Sequence, residues 1–286
     1  MTSGILLLDK PLGLSSNSAL QRVRRMLGAE KAGHVGSLDP LATGMLPICL
    51  GEATKVAGDI LSGRKCYHFT VKLGSRTATG DTEGQVTETL PVPAFSDAQL
   101  AAVVSGFLGK QRQIPPMYSA LKRDGQPLYK LARQGVEVER EAREIEIFAL
   151  RRLAATADTL ELEAICSKGT YIRTLAEDIA KVLGTCGHVI RLRREYVEPF
   201  EGQPMATLES LADHPPPLMA ADVPLGHLGR VQLDPAATAR LLHGQSVFAR
   251  VEGPEGRVRL YAADGAFLGI GESDGLGAIR PKRLMR

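Results

Sequence analysis

The chain has 286 residues, 44% hydrophobic and 23% charged, with 35 basic against 32 acidic side chains for a net charge of +3. That composition suits a folded protein with one sizeable domain and a smaller one, and it excludes a disordered tail, a collagen and a coiled coil. Its longest apolar runs, residues 5–8 and 45–50, fall far short of the roughly 20 residues a membrane span needs, so no span is expected.

The opening MTSGILLLDKP lacks a basic n-region, so it reads as a strand over 5–8 and no signal peptide is expected. Ser16 or Asn17 then caps a helix with Leu20, Val23 and Leu27 at helical spacing. Residues 53–61 form a second helix. Over 64–73 the chain alternates, with Tyr67, Phe69, Val71 and Leu73 on one face and Cys66, His68, Thr70 and Lys72 on the other. Ser96 caps a helix carrying Leu100, Val103, Val104 and Phe107, and strands follow at 144–150 and 159–166. After Gly169, the apolar stripe Ile172, Leu175, Ala176, Ile179, Val182 and Leu183 marks a helix that Gly184 stops. His214-Pro215-Pro216-Pro217 is a seam that no helix can cross. Beyond it, Asp234-Pro235 starts a helix, and strands at 258–261 and 267–270 flank a turn at Asp264-Gly265. Helix and strand alternate irregularly, which points to α+β with a largely antiparallel sheet and a small β-rich tail. The expected division is a main domain over 1–213, a proline-rich linker over 214–225 and a module over 226–286.

Charge is distributed unevenly. Residues 109–135 hold Lys110, Arg112, Lys122, Arg123, Lys130 and Arg133 against Asp124 alone, and the final RPKRLMR holds four basic residues and no acid. Such blocks can follow a phosphate backbone, although they equally serve as a solvated surface. Trp is absent and aromatics make up 5%, so extensive base stacking is excluded. Cys49, Cys66, Cys166 and Cys186 form no CxxC pair, which suits free thiols in a reducing cytoplasm and neither a disulfide frame nor a zinc site. HExxH, GxxxxGKS and GxGxxG are all missing.

The densest chemical cluster is Gly33-His34-Val35-Gly36-Ser37-Leu38-Asp39-Pro40-Leu41-Ala42-Thr43-Gly44. Three glycines, a histidine and a carboxylate make a shaped loop. Asp39-Pro40 also fits an ordinary helix start, as Asp234-Pro235 does. The cluster closely resembles the catalytic motif of the bacterial tRNA pseudouridine synthases of the TruB family, which act on the T-loop uridine at position 55. Leu8-Asp9-Lys10-Pro11-Leu12-Gly13, Leu50-Gly51-Glu52-Ala53-Thr54-Lys55, Ile114-Pro115-Pro116-Met117-Tyr118-Ser119-Ala120-Leu121-Lys122 and Cys166-Ser167-Lys168-Gly169-Thr170-Tyr171-Ile172-Arg173-Thr174 resemble that family in the same order.

The resemblance implies a pseudouridine-synthase fold with a PUA-like RNA-binding tail. It implies isomerisation of uridine in tRNA through an aspartate nucleophile and a flipped-out base. Asp39 takes the place of the catalytic aspartate, Tyr67 of the tyrosine that stacks on the base, and Arg173 of the arginine paired with the aspartate. Tyr171, Leu192, His34 and Lys10 match substrate-side residues, and the basic segment offers Lys122, Arg123 and Lys130 to phosphates. Core packing would also account for Tyr67 and Leu192, and a strand end for Lys10-Pro11. The family usually has Thr at Val35, Thr or Ala at Ser37 and Asp at Ala78, which puts RNA contacts in question more than the reaction. No cofactor or metal is expected, since nothing is oxidised and no group enters. The expected partner is the tRNA T-arm, for a cytoplasmic monomer with no obligate protein partner. The alternatives are a non-catalytic RNA-binding or RNA-folding protein on the same scaffold, and the catalytic subunit of a guide-RNA complex.

Overall fold

Strand β1 (Gly4–Lys10) does not alternate because both its faces are covered. Both its edges are also paired: β3 runs antiparallel along one, and Met219 and Ala206 bridge to Ile5 and Leu8. The computed structural model describes residues 2–123 and 125–285; Asp124, counted above in the basic segment, lies outside them. Helix α1 (Ser16–Met26) is capped by Ser15, one residue ahead of the expected position, through a 3.1 Å bond from the Ser18 amide. Ser16 is thereby free for a task at the site. Strands β2 (Ala32–His34) and β3 (Ala42–Leu50) form a hairpin whose loop is residues 35–41.

The helix expected over 53–61 is divided into a 3-10 turn, Gly51–Val56, and α2 (Ala57–Ser62). Strand β4 (Lys65–Leu73) shows the expected alternation, and β5 (Ser75–Thr77) pairs with β6 (Val86–Thr89). The capping box of Ser96 and Gln99 starts α3 (Asp97–Gly106). The basic segment contains β7 (Gly109–Gln113), the short pair β8 (Lys122–Arg123) and β9 (Gln126–Pro127), and α4 (Leu128–Arg133). Strands β10 (Arg143–Ala155) and β11 (Thr159–Cys166), helix α5 (Ile172–Val182), strand β12 (Gly187–Val197) and α6 (Leu208–Asp213) complete the main unit, β10 running five residues past the expected 150.

The principal sheet is ordered β1-β3-β12-β4-β11-β10-β7, with β2 attached to β3. Its one parallel contact among these pairings joins β12 to β3, so the fold is α+β with a mixed, mostly antiparallel sheet. Helices α1 and α5 cover one face over a core that includes Leu8, Leu46, Phe69, Leu162 and Ile179.

The tail forms a second sheet. Strand β13 (Gly229–Gln232), helix α7 (Pro235–Leu242), β14 (Val247–Phe248), β15 (Arg257–Tyr261), β16 (Phe267–Ser273) and β17 (Ala278–Leu284) assemble in the strand order β13-β15-β16-β17-β14. Asp234 caps α7 as expected, accepting from the Ala237 amide at 2.7 Å. The segment after the prolines does not hang free: Met219 exchanges backbone bonds with Ile5, and Leu225 is fully buried. Ile270 of β16 packs in one cluster with Val35, Met45, Val56 and Leu225, and Arg257 pairs with Asp59 at 2.7 Å. Among the described residues, no helix is long and apolar enough to cross a membrane.

Candidate active site

Asp39 caps no helix. The chain turns at Pro40 and Leu41 and enters β3 at Ala42, so the dipeptide that starts α7 here presents a carboxylate from a loop. Three anchors hold that loop. Ser16 Oγ donates to the Leu38 carbonyl at 2.9 Å and accepts from the Leu38 amide at 2.7 Å, pinning the residue before Asp39. The Val35 amide bonds the Pro47 carbonyl. Arg194, 1% exposed, donates to the carbonyls of Gly36 and Met45, each at 2.8 Å. Gly44 (φ +96°) admits this arrangement: a Cβ there would lie 2.2 Å from the Arg194 carbonyl oxygen.

Arg173 enters from the first turn of α5 and is 5% exposed. Its Nε meets Asp39 Oδ2 at 2.9 Å, while Nη1 and Nη2 donate to the carbonyls of Thr79 and Tyr118 at 2.6 and 2.7 Å. The fully shared guanidinium is thus tied to three separate loops. A second carboxylate, Asp81, stands 3.7 Å from the same Nε and is held by the Thr79 hydroxyl and the Glu83 amide. The helix start itself is clamped by Gln113, whose side chain accepts from the Tyr171 amide at 2.8 Å and donates to its carbonyl at 3.1 Å.

Asp39, Tyr67, Tyr171, Arg173 and Leu192 line one cleft of about 440 Å³, together with Arg194 and Lys65. A cleft of that size suits a nucleotide. Burial pushes Asp39 above the ordinary carboxylate value; Arg173 and Lys10 pull it back, and Asp81 pushes it up again. An arginine partner by itself would hold the pKa low, and desolvation outweighs it. The carboxylate nevertheless keeps 40% of its side-chain surface open toward the cleft. Burial likewise raises the Tyr67 phenol, which Arg194 only partly offsets. Lys10 is fully buried, donates hydrogen bonds to the carbonyls of Pro11 and Leu14, and is pushed down to about 8 by desolvation against the pull of Asp39.

The other expected residues stand apart from the cleft. His34, on β2, is shifted down by burial, and among the described residues its Nδ1 has no hydrogen-bond partner. Lys122, Arg123 and Lys130 are exposed on the basic segment; Arg123 donates to the Glu139 carbonyl at 3.0 Å. Val35 is buried against Met45, so its missing hydroxyl does not face outward as expected, whereas Ala78 is exposed. Asp81, Arg194 and Gln113 were not singled out from sequence, and Ser16 only as a helix cap. The contacts that Ser16, Gln113 and Arg194 make span up to 159 positions.

The TruB family pseudouridylate synthase N-terminal domain matches residues 24–172, the tRNA pseudouridylate synthase B C-terminal domain 173–216, and the pseudouridine synthase II TruB C-terminal domain 229–285. A protein named tRNA pseudouridine synthase B from Aromatoleum aromaticum is 48% identical over 290 residues, covering 100% of this chain and 93% of its own length. One of the same name from Stutzerimonas stutzeri is 50% identical over 293 residues, covering 99% and 96%. Among solved structures, a Cbf5-Nop10-Gar1 complex includes a chain with a TM-score of 0.74 at 23% identity, covering 99% of this chain and 83% of its own, a likeness of fold. Over nearly its whole length, the chain belongs to the TruB family of pseudouridylate synthases.

Proposed function

We propose that this chain isomerises uridine to pseudouridine in tRNA, at position 55 of the T-loop, as a cytoplasmic enzyme that works as a monomer. The observation that carries the reading is Asp39 at the floor of a nucleotide-sized cleft, 2.9 Å from a buried arginine.

In this reading the tRNA nucleotide swings out of its stack into the cleft, at a cost of a few kcal/mol. Tyr67 stacks on the uracil and recovers about 1–3 kcal/mol, while Leu192 and Tyr171 bound the pocket. Ionised Asp39 assists departure of the base from C1′. The uracil then turns, C5 bonds to C1′, and the hydrogen on C5 leaves as a proton. A phenolate base at Tyr67 would have to form against its burial, with Arg194 as the group that stabilises it. Arg173 keeps Asp39 aimed by holding the loops around residues 79 and 118. His34, partly exposed on β2, contacts displaced loop nucleotides, and Lys10 supports the charge on Asp39. Residues 1–213 act as the catalytic domain. Lys122, Arg123 and Lys130 hold the phosphate backbone, and residues 226–286, joined through 214–225, form an RNA-binding module.

The test is tritium release from tRNA transcript labelled with [5-3H]uridine. Wild type releases tritium, and Asp39→Asn binds the tRNA without release. Folded wild type that binds tRNA but releases nothing would refute the assignment in favour of a binding protein. The guide-RNA alternative draws only on shared fold, whereas the relatives at 48% and 50% identity carry a tRNA name.

A further inference from the structure

Successive residues of a strand point to opposite faces, so Cys66 and His68 flank Tyr67 and project away from the cleft. Glu163 of β11 is the cross-strand partner of His68, and the ligand atoms of Cys66, His68 and Glu163 all lie within 4.8 Å of one another. We propose that these three side chains form a binding site for a zinc-class divalent cation on the sheet face opposite the candidate active site.

The donor set is chemically apt. Sulfur, imidazole nitrogen and carboxylate oxygen are the groups that zinc takes, at about 2.0–2.3 Å each, which spaces tetrahedral ligands about 3.3–3.8 Å apart. His68 Nε2 and Glu163 Oε2 are 2.5 Å apart and need to separate by about 1 Å to admit the ion. The rotation is small because both side chains are partly exposed, leaving a fourth position open to water.

The surrounding groups also match a metal centre. Metal-bound histidine characteristically gives its second ring N–H to a carboxylate. Here His68 Nδ1 faces Glu195 Oε1 at 3.2 Å, and Glu195 occupies an irregularity in the pairing of β12 with β4 that turns it toward His68. Glu163 is oriented in turn by Arg151, which meets its other oxygen at 2.6 Å. An ion-pair ladder alone would explain Arg151, Glu163, His68 and Glu195, but it leaves the Cys66 thiol unused. That thiol is buried beside the His68 imidazole and the Glu163 carboxylate. On binding, the thiol proton leaves Cys66 Sγ and His68 ligates through an unprotonated Nε2, as a neutral imidazole with its one proton on Nδ1. CxxC spacing could not reveal this arrangement because the third ligand comes from the neighbouring strand.

The full-length protein, stripped with chelator, is titrated with Co2+ and then with Zn2+. The expected result is one equivalent of Co2+ bound with a near-ultraviolet thiolate-to-cobalt band, which Zn2+ displaces. Cys66→Ser abolishes the band, Cys166→Ser leaves it, and Glu163→Gln weakens binding by about tenfold or more. Each variant is first shown by its metal-free melting curve to be folded. Absence of the band in wild type, or a band that survives Cys66→Ser, overturns the site. Should Cys66→Ser not fold, full-strength binding by folded Glu163→Gln overturns it equally.

Discussion

Asp81 lies 3.7 Å from the Nε of Arg173, the same atom that meets Asp39 at 2.9 Å. Two carboxylates therefore share one buried guanidinium. One faces the cleft, and the other is 2% exposed and bound by the Thr79–Glu83 turn. The shared Arg173 sets the direction in which Asp39 points, and the Asp81 charge adds to the burial that raises the pH at which it ionises.

The pH consequence has a definite sign. With Asp39 as the proposed catalytic carboxylate, turnover is expected to be lost as pH falls through its raised pKa, so the acid limb is expected above the ordinary value of 3.8. Asp81→Asn removes a like charge and moves the limb to lower pH. Lys10→Met removes a favourable charge and moves it to higher pH. Single-turnover tritium release measured against pH checks both, and shifts of the opposite sign would rule out the charge network described here.

Arg173→Lys keeps a positive charge but cannot hold Asp39 and the carbonyls of Thr79 and Tyr118 together. Turnover is expected to fall by about 100-fold, in keeping with a misaimed catalytic group. Arg173→Met, which leaves Asp39 beside Asp81 without a counter-charge, is expected to cost about 3–5 kcal/mol of stability. Urea unfolding measures the second effect, and equal stability of Arg173→Met and wild type would contradict it.

Replacing Lys122, Arg123 and Lys130 together by Ala is expected to weaken tRNA binding and to reduce the salt slope by up to about 3. All three are exposed and lie outside the cleft, so the rate at saturating tRNA stays near wild type. Affinity measured across a salt series decides the matter; an unchanged slope removes this segment from the RNA footprint.

Gly44→Ala places a methyl 2.2 Å from the Arg194 carbonyl oxygen at φ +96°. The backbone conformation alone costs about 1–2 kcal/mol, and the parallel contact of β3 with β12 must open as well. Thermal unfolding is expected at markedly lower temperature, with Arg194 released from the Gly36 carbonyl and turnover reduced in the fraction that remains folded.

Much of this architecture follows from local pattern. The alternation of Tyr67, Phe69, Val71 and Leu73 predicts the buried face of β4, and the stripe from Ile172 predicts α5. Local pattern cannot separate Asp39-Pro40 from Asp234-Pro235, because the dipeptides are identical and only distant anchors, Ser16 and Arg194, keep the first from starting a helix. Ser16 looks like a cap because it belongs to a run of capping residues, and the neighbouring Ser15 takes that role. Arg194 reads as one charge in a basic strand. Its buried position becomes evident only when β12 is laid beside β3, where the carbonyls of Met45 and Gly36 come within reach.

Ile270 shares one apolar cluster with Val35, the first residue of the loop that carries Asp39, and with Met45 of the strand that follows it. The tail is consequently not a pendant to be traded between relatives by cutting at the prolines. A chimera joined at 214–217 would bring a foreign β16 against this chain's Met45 and Val35, and any mismatch of shape would fall against the loop that carries Asp39. Recombination between homologues should therefore succeed only where both sides of that seam are inherited together.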